Sequence, residues 1–175
     1  MSSVREAGLD RDQLVGFADS YLEALVARDP GRLPLAPGVR FTENTVELPL
    51  DKGLWRTIRG RRPGGQYFVD VEAGQVEHWA VVDQMGKDNL LSVRLRVREQ
   101  QIEEIETLVV LNTGMLFNPD RIAGARPELH DVLPLDQRVS REELVGVANS
   151  YFDGIEQANG DLVPAVDECL RFENG

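Results

Sequence analysis

The sequence is poor in the residues that build disulfides and metal sites. Cys169 is the single cysteine among 175 residues, so no disulfide can form within the chain and a reducing cytoplasm is the expected location. Only His78 and His130 add further soft ligands, and no motif groups them with carboxylates. We therefore expect no metal site.

Long apolar runs and an excess of positive charge are also missing. No stretch approaches the roughly 20 apolar residues that cross a bilayer, and residues 1–10 lack the apolar centre of a secretory signal. Acidic residues outnumber basic ones 30 to 19, and the net charge of -11 repels nucleic acid and anionic membranes. Neither nucleic acid nor a membrane is an expected partner.

Motifs for covalent or cofactor-dependent catalysis are absent as well. The sequence contains no nucleophile motif, phosphate-binding loop or dinucleotide fingerprint. Its one Gly-rich stretch, residues 59–66, does not precede a predicted helix and indicates a basic surface loop. We expect no cofactor, which leaves acid–base chemistry for an enzyme with this sequence.

An internal repeat is the most informative pattern that is present. At a constant offset of 130 residues, ten positions from Asp10 onward are identical to positions from Ser140 onward. The repeated residues of the first copy are Arg11, Leu14, Val15, Gly16, Ala18, Ser20, Tyr21, Pro34, Glu43 and Asn44. Two unrelated amphipathic helices are the alternative interpretation. We favour a second copy of the domain that begins at residue 140 and is incomplete.

This pattern divides the chain into three predicted parts. They are a domain at 1–111, an ordered arm at 112–139 and the start of a second repeat at 140–175. The arm carries more apolar residues than a flexible linker would: Met115, Leu116, Phe117, Ile122, Leu129, Leu133 and Leu135. We expect it to lie across the first domain. The helix predicted at about 141–157 cannot bury its stripe of Leu144, Val147, Tyr151 and Ile155 alone, so we expect it to be docked.

The first domain begins with a predicted helix over 11–28. A short helical turn over 31–36, strands at 39–42 and 45–48, and a loop at 53–55 follow.

Two hairpins complete the domain. A turn at Ala73-Gly74, with a loop of either two or four residues, places one apolar set on the inner sheet face, namely Tyr67, Val69, Val71, Val76, His78, Ala80 and Val82. The same pairing sets Phe68 opposite Trp79 on the outer face. In the last hairpin, a three-residue loop at 99–101 pairs Arg94 with Glu106 and Arg96 with Glu104, which predicts a solvated ladder of charges on the outer face.

Three segments together resemble the nuclear transport factor 2-like superfamily, which includes ketosteroid isomerase and the SnoaL-like cyclases. They are SYLEALVARDP, VRFTENTVELP and RVREQQIEEIETLVV, and the resemblance covers about residues 10–111. It implies an α+β fold in which a cone-shaped, curved antiparallel sheet wraps around N-terminal helices. It also implies a cavity for a small apolar or polycyclic molecule. Members include isomerases, dehydratases, cyclases and non-catalytic binding proteins, so the fold leaves the function open.

The resemblance and the pattern together give the candidate site. The resemblance places Tyr21 where ketosteroid isomerase has a helix-one Tyr that donates to the enolate oxygen. It places Glu43 near that family's Asp base. The protonated Asp of that oxyanion hole has no counterpart in this sequence. The alternation of apolar residues makes His78 a further catalytic candidate, because burial on the inner face would keep its ring neutral and able to accept a proton. The candidates for substrate contact are Tyr67, Trp55, Phe17 and Asn44.

Both function classes remain open at this point. Each catalytic candidate also has a structural interpretation: His78 as a core histidine, Tyr21 as a core aromatic and Glu43 as a strand-end cap. We expect a cofactor-independent isomerase, dehydratase or cyclase with Glu43 or His78 as the base. The alternative is a non-catalytic binding or assembly module. We also expect a homodimer or tandem pseudo-dimer through the outer face near Phe68 and Trp79.

Overall fold

The computed structural model describes residues 8–114, 117–124, 126–129 and 131–175. His130, Met115 and Leu116, which were named above, lie outside these ranges. The chain divides into two compact units, and each is described by itself. The first is Met1–Arg126 with Glu173–Gly175, and the second is Pro127–Phe172.

Helix α1 spans Arg11–Ala27, as predicted to within one residue. Its start has a capping box: the Asp10 carboxylate accepts from the Gln13 backbone N–H at 2.8 Å, and the Gln13 side chain accepts from the Asp10 N–H at 2.9 Å. The helix ends at Arg28, which has a left-handed conformation with φ of 56°. Its apolar face is buried in the core of the first unit.

Within the described residues, seven strands form one sheet with the order β2-β1-β7-β6-β5-β3, and β4 also pairs with β5. The strands are β1 Leu35–Glu43, β2 Val46–Glu47, β3 Ile58–Arg61, β4 Gln66–Asp70, β5 Gln75–Gln84, β6 Lys87–Arg98 and β7 Gln101–Val110. Together with α1 this is the α+β architecture and the element order of the nuclear transport factor 2-like fold.

The sheet is mixed, because β1 runs parallel to β7. The predicted antiparallel pairing holds for the other described strand pairs and fails where β1 meets β7. Strand β1 is also longer than predicted and occupies part of the expected helical turn, which is reduced to a 3-10 helix at Pro30–Arg32. The register of β1 shifts between Leu35 and Arg40, and Gly38 supplies the positive φ of 76° within this bulge.

The segment before β4 also differs from the prediction. Residues 53–55 were expected to be a loop, but helix α2 spans Leu54–Thr57. Residues 59–66 were expected to be a surface loop, yet β3 pairs with β5 over Ile58–Arg61. No apolar alternation marks β3, so its strand conformation comes from the long-range partner.

The β4–β5 hairpin faces inward as predicted, but its register differs by two residues from that of a turn confined to residues 73–74. Such a turn would set Tyr67 opposite Ala80, whereas the loop over residues 71–74 sets it opposite His78. The inner-face prediction fails at Val71, which is exposed because the strand ends before it. Phe68 pairs with Glu77 rather than with Trp79, so the two aromatic residues are diagonal neighbours.

The β6–β7 hairpin pairs Arg94 with Glu106 and Arg96 with Glu104, as predicted. The loop differs in detail, because only residues 99–100 form the turn and both have positive φ. The pairing of β6 with β7 leaves Glu103 unpaired. Together with the two turn residues, this bulge gives the odd number of unpaired residues that the charge pairing required. The Arg94 guanidinium bonds both Glu104 and Glu106, so the outer face carries paired charges.

Part of the predicted arm belongs to the first unit. Helix α3 spans Pro119–Ala123 and lies against β5 and β6. The Gly65 N–H donates to the Ala123 carbonyl oxygen at 2.9 Å.

The second unit contains helix α4 at Arg141–Glu156, as predicted, and the Ser140 hydroxyl caps it. Leu144, Val147 and Ile155 on its predicted stripe are exposed. Its 3-10 helices are Pro127–Leu129, Leu135–Gln137 and Gly160–Leu162.

Candidate functional site

Two aromatic residues with polar atoms meet inside the sheet. Tyr21 on α1 is 1% exposed and Trp55 on α2 is 2% exposed. Their rings meet edge to face, with centroids 5.6 Å apart. The Trp55 indole Nε1 is buried, and its approach to the Tyr21 hydroxyl falls short of hydrogen-bond geometry. A buried donor is thus left without a fully formed hydrogen bond among the residues that the structure describes.

Glu43 supplies a carboxyl group to the same cluster from the end of β1. It is half-buried, and its Oε2 accepts a hydrogen bond from the Leu54 backbone N–H at 2.9 Å. Burial raises the pKa of this carboxyl above its usual range, although the bond from Leu54 opposes that rise. Gly53, with φ of 63°, packs against the carboxylate so closely that a side chain there would collide with it.

The three groups influence one another. Burial raises the pKa of the Tyr21 hydroxyl well above its usual range, the nearby Trp55 indole opposes the rise, and the Glu43 carboxylate adds to it. Tyr21 therefore keeps its proton and can act as a donor. A hydroxyl donor, an indole donor and a carboxyl with a raised pKa form what we call the Tyr21–Glu43–Trp55 cluster. It can hold an oxygen atom and exchange a proton beside it.

His78 lies in a second cluster. It is 0% exposed, and its ring stacks on Tyr67 with centroids 3.9 Å apart. The Tyr67 hydroxyl donates to the Asp19 carboxylate at 2.5 Å. The Gly65 backbone lies close to the Cε1 and Nε2 atoms of His78, so a side chain at Gly65 would overlap them. Asp19, Tyr67 and His78 thus form a closed stack.

The electrostatics of His78 are those of a neutral base. Burial lowers the pKa of its ring to about 4, while the Asp19 carboxylate opposes this and Arg61 adds to it. Both ring nitrogens are buried and form no hydrogen bond of full geometry within the described part of the chain, although the nearby Gln66 backbone also opposes the fall in the pKa. Burial, and then the bond to Asp19, raise the pKa of the Tyr67 hydroxyl above its usual range.

The other two sequence candidates lie outside both clusters. Phe17 on α1 is half-buried and packs on the core. Asn44 is exposed, and its side chain bonds the backbone of Val109: the Val109 N–H donates to Oδ1 at 2.8 Å, and Nδ2 donates to the Val109 oxygen at 3.3 Å. Asn44 thereby extends the pairing of β1 with β7. These contacts fit a structural role for Asn44.

Asp19 is a site residue that the sequence pattern did not predict. It lies on α1 between the buried residues Ala18 and Tyr21, and nothing in the helical stripe singles it out. One signal pointed toward it: the predicted parity of the hairpin placed the phenol of Tyr67 on the inner face, and a half-buried phenol needs an acceptor.

An open pocket of about 220 Å³ lies on the outer face of the sheet. Its lining is Phe68, Val69, Asp70, Gln75, Val76, Glu77 and Arg94. Beside it the rings of Phe68 and Trp79 lie 4.8 Å apart, and Trp79 is 42% exposed. The Trp79 indole N–H donates to Glu77 at 2.7 Å, so this indole has the acceptor that Trp55 lacks.

Metal-binding clusters and membrane-spanning helices are both missing from the described residues. Among them, no three His, Cys, Asp or Glu side chains gather as a metal ion would require. No helix in the described ranges is long and apolar enough to cross a membrane.

Solved structures with a similar fold are distant in sequence. An NTF2-like protein of unknown function from Cytophaga hutchinsonii is 12% identical, over 61% of this chain and 94% of its own, with a TM-score of 0.44. A proposed ketosteroid isomerase from Kribbella flavida is 13% identical, over 73% and 95%, with a TM-score of 0.44. A proposed polyketide cyclase from Sinorhizobium meliloti is 16% identical, over 57% and 99%, with a TM-score of 0.43.

No protein with a curated description matches the sequence. A family model does match, over residues 8–109 and 137–175, which is most of the chain. The matched ranges take in α1, the sheet up to the last residue of β7, and α4, and so contain both clusters. The chain belongs to this family, which is described as domain of unknown function DUF8021.

Proposed function

We propose that the sheet encloses a site for a small, largely apolar molecule with one reactive oxygen, and that acid–base chemistry takes place there without a cofactor. The observation that carries the proposal is the buried Trp55 indole N–H, which forms no hydrogen bond of full geometry with the described residues, the neighbouring Tyr21 hydroxyl included. A buried donor without an acceptor costs about 1–3 kcal/mol, and a ligand oxygen would recover that free energy.

The neighbours of Trp55 supply the remaining chemistry. Tyr21 acts as a second donor, since burial keeps its hydroxyl protonated while an adjacent oxygen gains negative charge. Glu43 acts as the base, since burial raises the pKa of its carboxyl toward the range in which proton transfer is efficient. An isomerase, dehydratase or cyclase reaction of this type uses a base beside the carbon and donors beside the oxygen.

We assign the base to Glu43 rather than to His78. The ring of His78 is stacked on Tyr67 and is 0% exposed, so a substrate could reach its nitrogens only if the surrounding core moved. Glu43 is only half-buried, and one of its oxygens makes the bond to Leu54. The second oxygen is therefore the better-placed proton acceptor.

Hydrogen–deuterium exchange at carbon tests this assignment with simple ketones in place of the substrate. Small cyclic ketones would be incubated with the protein in D₂O, and loss of the proton signal next to the carbonyl would be followed by NMR. Glu43→Gln should lower the rate of exchange about 10²- to 10⁴-fold. Glu47→Gln, on the exposed strand β2, is the matched control and should leave the rate unchanged. Equal rates in wild type and Glu43→Gln would contradict the assignment.

A non-catalytic binding module is the second candidate. It is favoured by the apolar filling of the sheet interior and by the bond from Leu54, which gives Glu43 a structural task. The same ketone panel separates the two. Binding without exchange at carbon would favour the module, whereas exchange that depends on Glu43 would favour the enzyme.

Assembly through the outer face is a further proposal. It is supported by the Phe68–Trp79 pair, because an exposed aromatic pair is typical of an interface. Wild-type protein should then sediment as a homodimer, and Trp79→Ser should shift it to the monomer. An unchanged mass distribution in the variant would contradict this interface.

A further inference from the structure

The repeat seen in the sequence extends to the backbone. Residues 140–163 follow the same course as residues 10–33 at the offset of 130. Helices α1 and α4 start at equivalent residues, Arg11 and Arg141. The 3-10 helices that follow them, Pro30–Arg32 and Gly160–Leu162, occupy the same positions in the repeat.

The caps agree in geometry at both ends of the helices. The Ser140 hydroxyl accepts from the Glu143 N–H at 3.1 Å, as Asp10 does from Gln13 at 2.8 Å. After the helices, the backbone turns through left-handed residues at equivalent positions, with φ of 56° and 49°. These residues are Arg28 and Ala158.

The next cap is also shared. The Asp29 carboxylate accepts from the Gly31 N–H at 3.1 Å, and the Asn159 side chain accepts from the Asp161 N–H at 3.0 Å. A helix, a left-handed turn, a side-chain cap and a 3-10 helix at one constant offset are more than two unrelated helices would share. Residues 140–163 therefore form a second copy of the unit made by residues 10–33.

The two copies differ in what covers their apolar faces. The inward positions of α1 are at most 1% exposed: Leu14, Ala18, Tyr21, Leu22, Ala24 and Leu25. Three of the equivalent large residues of α4 are open, since Leu144 is 59%, Phe152 66% and Ile155 62% exposed, while Tyr151 is half-buried. A helix of this length is marginal in water without a surface to pack on.

We propose that the apolar face of α4 binds the concave side of a curved sheet of this same family, one that has no first helix of its own. The occupant follows from the repeat, because the same positions of α1 are buried against such a sheet in the first unit. The sheet of that unit is already filled by α1. The partner is therefore another sheet of the same kind.

Transplantation within the full-length chain tests this inference. Residues 10–33 would be replaced by a second copy of residues 140–163, which has equal length. The chimera should unfold in one cooperative transition, with a Tm lower by about 10–20 °C, because Phe152 and Gly154 would replace Leu22 and Ala24. A second chimera, with Phe152→Leu and Gly154→Ala in the transplanted copy, restores the α1 residues at these two buried positions. If both chimeras were unfolded, the proposal would be overturned.

A single substitution compared at two places provides the matched control. Leu144→Asp at its own position should leave the Tm unchanged, since this side chain is exposed. Leu144→Asp in the transplanted copy should abolish the cooperative transition, since Leu14 at that position is fully buried. Equal effects at both places would overturn the proposal. A wild-type dimer that Leu144→Asp dissociates would overturn it as well, because it would assign the face to a second copy of this chain.

Discussion

Protonation of His78 should destabilise the first unit as the pH falls from 6.5 toward 4. The side chain is 0% exposed, and burial lowers the pKa of its ring from 6.5 to about 4. Because the folded chain binds this proton less tightly than the unfolded chain, the contribution of the neutral ring is complete above pH 6.5 and is lost as the pH approaches 4. A difference of about 2.5 pH units corresponds to about 3 kcal/mol in the free energy of unfolding.

Urea unfolding of wild type and His78→Leu at a series of pH values isolates this contribution. Tryptophan fluorescence suits the assay, because Trp55 and Trp79 both lie in the first unit. Carboxylates titrate in both proteins, so the difference between their two curves of unfolding free energy against pH isolates the contribution of His78. Wild type should lose about 3 kcal/mol more than His78→Leu between about pH 7.5 and pH 4. Parallel curves would refute the reasoning.

Two further substitutions test the clusters. Gly53→Ala should lower the free energy of unfolding in urea by about 1–3 kcal/mol, because residue 53 has a positive φ and the new Cβ would collide with the Glu43 carboxylate. An unchanged midpoint of urea unfolding would mean that Glu43 is not held as described. Tyr67→Phe should cost about 1–2 kcal/mol, because it removes the bond from the phenol to the Asp19 carboxylate. Equal stability of Tyr67→Phe and wild type would show that this bond contributes nothing.

The hairpins were predictable because each residue there has a local constraint. Arg94 and Glu106 could pair only if an odd number of residues between them stayed unpaired, and the structure meets that need with a two-residue turn and a bulge at Glu103. The position of His78 followed from the alternation of apolar residues in the β4–β5 hairpin. In both cases a shift of one residue would have moved charge into the core.

Long-range partners account for what the sequence did not reveal. The parallel pairing of β1 with β7 joins residues that are far apart in the sequence, and no local pattern encodes it. Asp19 shows the same limit in the site, since its role depends on Tyr67 reaching it from another element. The missing acceptor of Trp55 is a property of the packed core alone.

The indole N–H signals of ¹⁵N-labelled protein test the central claim most directly. The chain has 2 tryptophans, so two signals are expected, and Trp79→Phe assigns them. On addition of phenols, whose oxygen resembles an enolate, the Trp55 signal should move downfield as its N–H gains an acceptor, and Tyr21→Phe should weaken the binding. The Trp79 signal should stay in place, because its N–H already bonds Glu77. A Trp55 signal that does not move with any member of a panel of phenols and cyclic ketones would contradict the proposed site.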